Sequence, residues 1–179
     1  VLRIVLANPV RLAFDAVLRE RLIPDLRRAV GVTDAWAARR GPGDLGERAI
    51  VSRWASRAAM ASAMAGDGEL PGPGGDPLAE TADRRVEVLP IRVAVVAPVG
   101  TGVAPTILRI ARGRLAAVDM DTYAAHVAAG AERDLARERG PSALILASAG
   151  DDRFVTVSAW RDWDAIAAAT GASLDRPVR

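Results

Sequence analysis

The sequence predicts an α+β fold built from two similar halves of one chain. Each half shows the same order of elements, namely strand, helix, strand, strand and helix. A segment of the first half, AIVSRWASRAAMASAMAG at 49–66, also has a counterpart in the second, FVTVSAWRDWDAIAAATG at 154–171. In both segments apolar residues first alternate with other residues. A Trp follows, and then an Ala-rich run that ends at or near a Gly. Alternation indicates a half-buried strand, and the Ala-rich run is typical of a helix.

The two halves also match in register. The tripeptide Leu-Arg-Ile occurs at 2–4 and again at 108–110, and Trp54 and Trp160 are separated by the same 106 positions. The same offset relates three further pairs: Ser52 and Ser158, Asp15 and Asp121, and the predicted helix N-caps Ser56 and Asp162. This agreement predicts that one structural unit occurs twice in the chain.

The first repeat is assigned to residues 1–66. Its strands are expected at 2–7, near 33–38 and at 47–54, and its helices run from about Pro9 to Ala29 and through 56–65. The pair Asn8-Pro9 is a suitable helix start, because Asn caps helices and Pro fits their first turn. Pro24 is expected to kink or split the first helix.

A Gly- and Pro-rich linker is assigned to residues 67–85. Its core, DGELPGPGGDP at 67–77, has too few apolar side chains for a packed element. The run RVEVLPIRVAVVA that follows, at 85–97, is rich in β-branched residues and interrupted by Pro90, as at an edge strand or a bulge. Its part 86–97 is expected to supply a fourth strand to the first half or, alternatively, to the second.

The second repeat is assigned to residues 107–179. Strands are expected at 107–116, 142–149 and 153–160, with a helix at 119–139 that Asp119 caps and a last helix at about 162–170. Only ASLDRPVR remains after Gly171, which is short for a further strand.

The order β-α-β-β-α-β is that of the ferredoxin-like split motif. Together with the strand-Trp-helix segments, it resembles the antibiotic-biosynthesis-monooxygenase type of the dimeric α+β barrels. That resemblance implies two ferredoxin-like halves packed sheet to sheet, here as a barrel-like pseudo-dimer within one chain. A sheet covered by helices on one face leaves its other apolar face to be buried, and a second copy does this.

Composition excludes several classes of function. Of 179 residues, 50% are hydrophobic, the formal net charge is +2, and all 24 basic residues are Arg, interspersed with Asp and Glu. A nucleic-acid partner is therefore not expected. The chain has no Cys, which excludes disulfides and thiolate metal sites, and no apolar run of the ~20 residues that a membrane span needs. Arg3 and Arg11 argue against a secretory signal, so a cytoplasmic location is expected.

The motifs that usually carry catalysis are weak. GPGDLG at 41–46 spells the dinucleotide fingerprint, but a strand follows it rather than a helix, so it is a loop. The paired aspartates are explained by helix starts and turns. No G-x-S-x-G motif is present.

His126 is the only histidine and lies at the border of the apolar line of the helix 119–139. Neutral imidazole ligates iron and titrates near neutral pH, so a heme axial ligand or a base is one interpretation. The other, which we favour, is a surface residue without a ligand. No cofactor and no metal are therefore expected, with heme on His126 as the alternative.

Four polar or aromatic residues are the remaining site candidates: Asn8, Tyr123, Trp54 and Trp160. The two Trp residues are either core residues with bonded indoles or the lining of a ligand pocket. In the heme-degrading branch of the resembled superfamily, an Asn on the first strand, a Trp ending the third and a His on the second helix form the site. Asn8 and Trp54 match those places, but ten residues after each Trp stand Met64 and Thr170 instead of His.

The expected function is the handling of a small hydrophobic or aromatic ligand in an apolar pocket. Its most concrete form is cofactor-independent monooxygenation of an electron-rich aromatic substrate, with Asn8, Tyr123 and His126 as the weak catalytic candidates. The alternative is a non-catalytic ligand-binding or assembly domain of the same fold, and a homodimer remains open. An enclosed cavity with convergent polar groups would favour the enzyme, and a filled core the alternative.

Overall fold

The computed structural model describes residues 1–9, 14–40, 46–64, 81–97, 105–137 and 140–170. The chain divides into two units, Val1–Leu89 and Pro90–Arg179. Each unit holds one four-stranded sheet, and every strand pair in it is antiparallel. The predicted α+β class with two sheet-and-helix halves is confirmed. Residues 67–80 of the predicted linker and the loop 41–45 lie outside the described residues, whereas 81–85 belong to the strand Thr81–Leu89 and are not linker.

The first unit follows the order β-α-β-β-α-β. Its strands are β1 (Leu2–Pro9), β2 (Val32–Arg39), β3 (Arg48–Trp54) and β4 (Thr81–Leu89), arranged as β2-β3-β1-β4. Its helices are α1 (Phe14–Val17), α2 (Ile23–Arg28) and α3 (Arg57–Ala63), and a π-helical turn, Leu18–Leu22, joins the first two.

Pro24 accounts for the division of the first helix. Proline has no backbone N–H, so it cannot make the bond that a continuous α-helix needs. The π-helical turn ends at Leu22, and Pro24 then stands in the first turn of α2, where no N–H is required. The backbone stays right-handed helical at Val17, Leu22 and Ile23, so the expected kink or split takes the form of a π-helical turn within one helical path.

The predicted helix start at Asn8-Pro9 is wrong. Both residues belong to β1, where Asn8 is paired with Asp83 of β4 and Pro9 with Thr81 after a register shift. Proline is tolerated at the end of a strand and at such an irregularity. The distant partner β4 therefore decides the conformation of Asn8, and its capping preference has no effect.

The core of the first unit lies between its helices and one face of its sheet. Val5 and Ile50 are directly paired on that face, and Trp54 lies on the same face four residues beyond Ile50. The buried members of this cluster are Val5, Ala7, Phe14, Leu18, Leu22, Ile23, Leu26, Ala35, Ile50, Trp54 and Met64. On the opposite face, Leu2, Ile4 and Val51 are also buried.

The second unit begins with the strand that completes its sheet. Its strands are β5 (Ile91–Val96), β6 (Ile107–Arg114), β7 (Ala143–Ser148) and β8 (Arg153–Trp160), arranged as β5-β7-β8-β6, and its helices are α4 (Met120–Leu135) and α5 (Trp163–Thr170). Pro90 divides the run 86–97, so that β4 pairs with β1 and β5 pairs with β7. The strand that completes each sheet therefore occupies a different edge in the two units: β4 lies beside β1, whereas β5 lies beside β7, the counterpart of β2.

Buried side chains of the second unit form smaller groups on the helix side of the sheet. One holds Val93, Ala124 and Leu146, with Tyr123, Val127, Val95 and Phe154 packed against it. Another holds Trp160, Ala165 and Ile166. Ile145, Val155 and Val157 are buried on the other face.

The two units repeat local geometry at the predicted offset. Arg3 pairs with Ser52 across β1 and β3, and Arg109 pairs with Ser158 across β6 and β8. The expected N-caps are confirmed: Ser56 Oγ accepts from the Ala59 N–H at 2.9 Å, and Asp162 Oδ1 accepts from the Ala165 N–H at 2.7 Å. Asp119 caps α4 by accepting from the Thr122 N–H.

Within the described part of the chain, none of the helices has the length and apolar character that crossing a bilayer requires.

Candidate functional site

The two Trp residues occupy equivalent positions in the two cores. The Trp54 indole N–H donates to Ser52 Oγ at 2.9 Å, and the Trp160 indole N–H donates to Ser158 Oγ at 2.8 Å. Both side chains are buried, among the residues of their own unit's core. Each Ser lies two residues before its Trp on the same strand face, so the bond satisfies the one polar atom of a buried indole.

Asn8 and Trp54 do not converge within the first unit. Trp54 shares the helix-side face with Val5, whereas Asn8, three residues after Val5, points to the other face because successive side chains alternate along a strand. Leu2 is paired with Arg53 beside Trp54, and Asn8 lies six residues further along, about 20 Å of strand.

Tyr123 and His126 lie one turn apart on α4, but only Tyr123 packs against the core of the unit. The Tyr123 ring packs against the Phe154 ring with centroids 4.9 Å apart. His126 is exposed. Trp160 is six residues from Phe154 along β8, so Tyr123 and Trp160 are also well separated. The five candidates therefore do not form one site inside either unit.

A cleft between α4 and β5 is a candidate for a small-molecule site in the second unit. It has a volume of about 400 Å³, and its lining consists of Ile91, Arg92, Val93, Asp121, Ala124, Ala125 and Ala128. The three alanines stand on one face of α4 and leave space where larger side chains would fill it. This volume lies within the range of small-molecule sites. The cleft is open to solvent, because Asp121, Ala125 and Ala128 are exposed.

A β-bulge brings Arg92 into this cleft. Ile91 pairs with Ala147 and Val93 with Leu146, so two steps along β5 correspond to one step along β7. A regular strand would turn every second side chain away, but all three residues 91–93 line the cleft. The Arg92 guanidinium thereby forms an ion pair with the Asp121 carboxylate of α4.

The cleft could not be predicted from the sequence. In the sequence Asp121 fits a helix-start carboxylate and no local pattern identifies Arg92, because the bulge depends on register against β7, some fifty residues away. The Pro90 interruption was the one local signal, and it pointed to an edge or a bulge. His126, five residues after Asp121 and thus about 140° around the helix from it, is directed away from the cleft.

An ion pair between a buried Arg48 and a half-exposed Asp15 has a structural role in the first unit. The Arg48 side chain is only 1% exposed, and its Nη2 donates to Asp15 Oδ2 at 2.9 Å while its Nε bonds Oδ1. Hydrogen bonding from Arg48 is the main reason that the pKa of Asp15 is held below its usual value. Arg48 also donates to the Gly46 carbonyl, so it ties α1 and the start of β3 together.

Among the described residues, no group of three or more His, Asp and Glu side chains is arranged to hold a metal ion. The Arg92–Asp121 pair offers one carboxylate already engaged by a cation.

The fold is similar to that of solved monooxygenase-like proteins. A "putative monooxygenase" from Lactobacillus acidophilus NCFM matches with a TM-score of 0.71 and 11% identity, over 96% of this chain and 81% of that one. A "putative monooxygenase" from Fusobacterium nucleatum subsp. nucleatum ATCC 25586 matches with a TM-score of 0.64 and 10% identity, over 96% and 80%. An "anthrone oxidase-like protein" matches with a TM-score of 0.55 and 14% identity, over 98% and 79%. No protein-family model matches the sequence, and no curated protein matches it.

Proposed function

We propose that this protein oxygenates an electron-rich aromatic substrate with O₂ and without a bound cofactor. The observation that supports this proposal is the likeness of the fold, over 96% of the chain, to two proteins described as monooxygenases, and its likeness to an anthrone oxidase-like protein. The proposal includes membership of the antibiotic-biosynthesis-monooxygenase type and an origin of the two units by duplication. The repeated Trp-Ser bonds and N-caps support that origin.

The chemistry balances without an external reductant. In anthrone oxidation the substrate first loses a proton from its CH₂ group to give an aromatic enolate, which then donates electrons to O₂. Two C–H bonds are broken, one oxygen atom becomes the new ketone, and the other leaves as water. The substrate supplies all four electrons, so the protein has to orient the ring, exclude water and stabilise negative charge.

Anthrone is therefore the probe for the test. We expect the purified protein, in chelator-treated buffer without flavin or nicotinamide, to consume one O₂ for each anthraquinone formed, faster than the spontaneous reaction. Oxygen uptake and anthraquinone absorbance are measured together, with heat-denatured protein as the control. A rate equal to that control at all protein concentrations would contradict the proposal.

Heme is the weaker alternative for this chain. His126 is exposed and is directed away from the α4–β5 cleft, and no other histidine is present. A hemin titration of the wild type and of His126→Gln is expected to give the same weak, unsaturable Soret change in both. A saturable shift that disappears in His126→Gln would establish the heme interpretation instead.

A non-catalytic ligand-binding or assembly domain is the second candidate function. The burial of Trp54 and Trp160 in packed cores favours it, because a filled core was the expected mark of a scaffold. Saturable binding of anthrone with no oxygen consumption would select this candidate.

A further inference from the structure

We propose that the α4–β5 cleft binds a planar aromatic anion and that Arg92 holds the anionic group. The choice of an aromatic ligand rests on the proposed function. The site itself rests on three observations of the second unit: the cleft, the bulge that turns Arg92 into it, and the ion pair at its polar end.

The apolar part of the cleft suits a flat ring. Ile91 and Val93 line it from β5, and Ala124, Ala125 and Ala128 line it from α4. Alanine side chains end at Cβ, so this stretch of α4 offers a smooth surface without a bulky side chain. A planar ligand covers such a surface more completely than a branched one.

The polar part suits one negative charge. The Arg92 side chain is 37% exposed and the Asp121 side chain is 82% exposed, so water screens the pair. Exposed ion pairs stabilise proteins by at most about 1 kcal/mol. A ligand anion seated in the cleft can therefore take the place of Asp121 as the partner of Arg92 at small cost.

The bulge is the part of the argument that points to a ligand rather than to packing. A regular β5 would place Arg92 on the face away from α4. Bulges re-aim a side chain at a local cost in pairing, and they are common beside binding sites. Here the re-aimed side chain is a guanidinium, which presents several N–H donors to an oxyanion.

Two probes that differ by one charge test the site. 8-Anilinonaphthalene-1-sulfonate carries the ring system with a sulfonate, and N-phenyl-1-naphthylamine carries the same rings without it. We expect saturable binding of the sulfonate probe by calorimetry, with one site per chain. Arg92→Gln should weaken it about tenfold, because a hydrogen-bonded ion pair with the ligand is lost. Arg92→Lys should keep part of the affinity, because the positive charge remains and the planar set of N–H donors is lost.

Asp121→Asn is expected to act in the opposite direction. Removal of the competing carboxylate should tighten the sulfonate probe about two- to fivefold, the range that an exposed ion pair represents. Neither variant should change the affinity of the neutral probe by more than about twofold. Ala128→Leu fills the cleft and should abolish binding of both probes, whereas Ala168→Leu, at an exposed position of α5, should leave both unchanged.

The outcomes separate this proposal from the proposed function. Equal weakening of the sulfonate probe by Arg92→Gln and Asp121→Asn would mean that the pair is structural, and the site would be wrong. Unchanged binding in Ala128→Leu would also overturn it. If the probe pattern holds but anthrone is not oxidised, the cleft stands and the oxygenase proposal fails. If anthrone oxidation persists in Ala128→Leu, the oxygenase proposal stands and the cleft is not where the oxidised substrate binds. Near-ultraviolet circular dichroism of each variant verifies the fold.

Discussion

The two units place the same Trp-Ser pair in differently built cores. In the first, Trp54 belongs to a single cluster of eleven buried residues, many of them large aliphatic side chains of the helical region that ends at Arg28. In the second, Trp160 is clustered with Ala165 and Ile166, while α4 packs through a separate group around Leu146. The Ala-rich α4 leaves the cleft beside β5. We infer that the first unit stabilises the fold and that the second retains space for a ligand.

The largest expected effect comes from removing the two Trp side chains. Truncation of a buried Trp costs about 3–5 kcal/mol. We expect Trp54→Ala near the upper end and Trp160→Ala near the lower end, because fewer large neighbours surround Trp160. Guanidinium unfolding followed by circular dichroism gives both values.

Trp163→Ala is the matched control, because this side chain is 58% exposed. It should change the free energy of unfolding by less than about 0.5 kcal/mol. A change below about 1 kcal/mol for both Trp54→Ala and Trp160→Ala would mean that these residues do not hold the cores.

The sequence predicted this comparison only in part. The 106-residue offset identified Trp54 with Trp160 because letters and strand alternation are local signals that survive in each unit. The offset could not predict that β4 lies beside the first strand of its unit whereas β5 lies beside β7. Strand order depends on pairing between distant segments. The predicted helix start at Asn8 is wrong for the same reason, and Arg92 gives no local signal: the distant strands β4 and β7 determine a strand end at Asn8 and a bulge at Arg92.

The next effect concerns the equivalent residues Asp15 and Asp121. Asp15→Asn removes the partner of the buried Arg48 and should cost about 1–3 kcal/mol, less than for a fully buried pair because Asp15 is 42% exposed. Asp121→Asn breaks an exposed pair and should cost less than about 1 kcal/mol. Urea unfolding of the two variants gives the difference. Equal costs would contradict the structural role assigned to Arg48.

Asp15 also predicts a dependence on pH. Its pKa in the folded protein lies below the usual value of 3.8, so the folded state favours the ionised form. The stabilisation is fully present above about pH 5 and is lost as the pH falls through the folded pKa. The difference in stability between wild type and Asp15→Asn should therefore shrink between about pH 4 and pH 2. A difference that is constant over this range would mean that the Arg48 bond does not lower the pKa.

The smallest effects come from the two equivalent N-caps, and they test the equivalence most directly. Ser56→Ala and Asp162→Ala each remove one bond to a helix N–H, and loss of a cap costs about 0.5–2 kcal/mol. None of the side chains of α3 is buried, so Ser56→Ala should fray that helix alone and lie at the lower end. Asp162→Ala should lie at the upper end, because α5 places Ala165 and Ile166 against Trp160.

Exchange of the caps gives the sharper experiment. Ser and Asp are similarly good caps, so Ser56→Asp and Asp162→Ser should each leave stability within about 0.5 kcal/mol of the wild type. Native-state hydrogen exchange at the Ala59 and Ala165 amides reports each cap separately. If Asp162→Ser lost as much protection as Asp162→Ala, the carboxylate would act through its ion pair with Arg161 rather than as a cap. The two helix starts would then be equivalent in position only. A Ser hydroxyl would cap α3 at position 56 but would not protect the start of α5 at position 162.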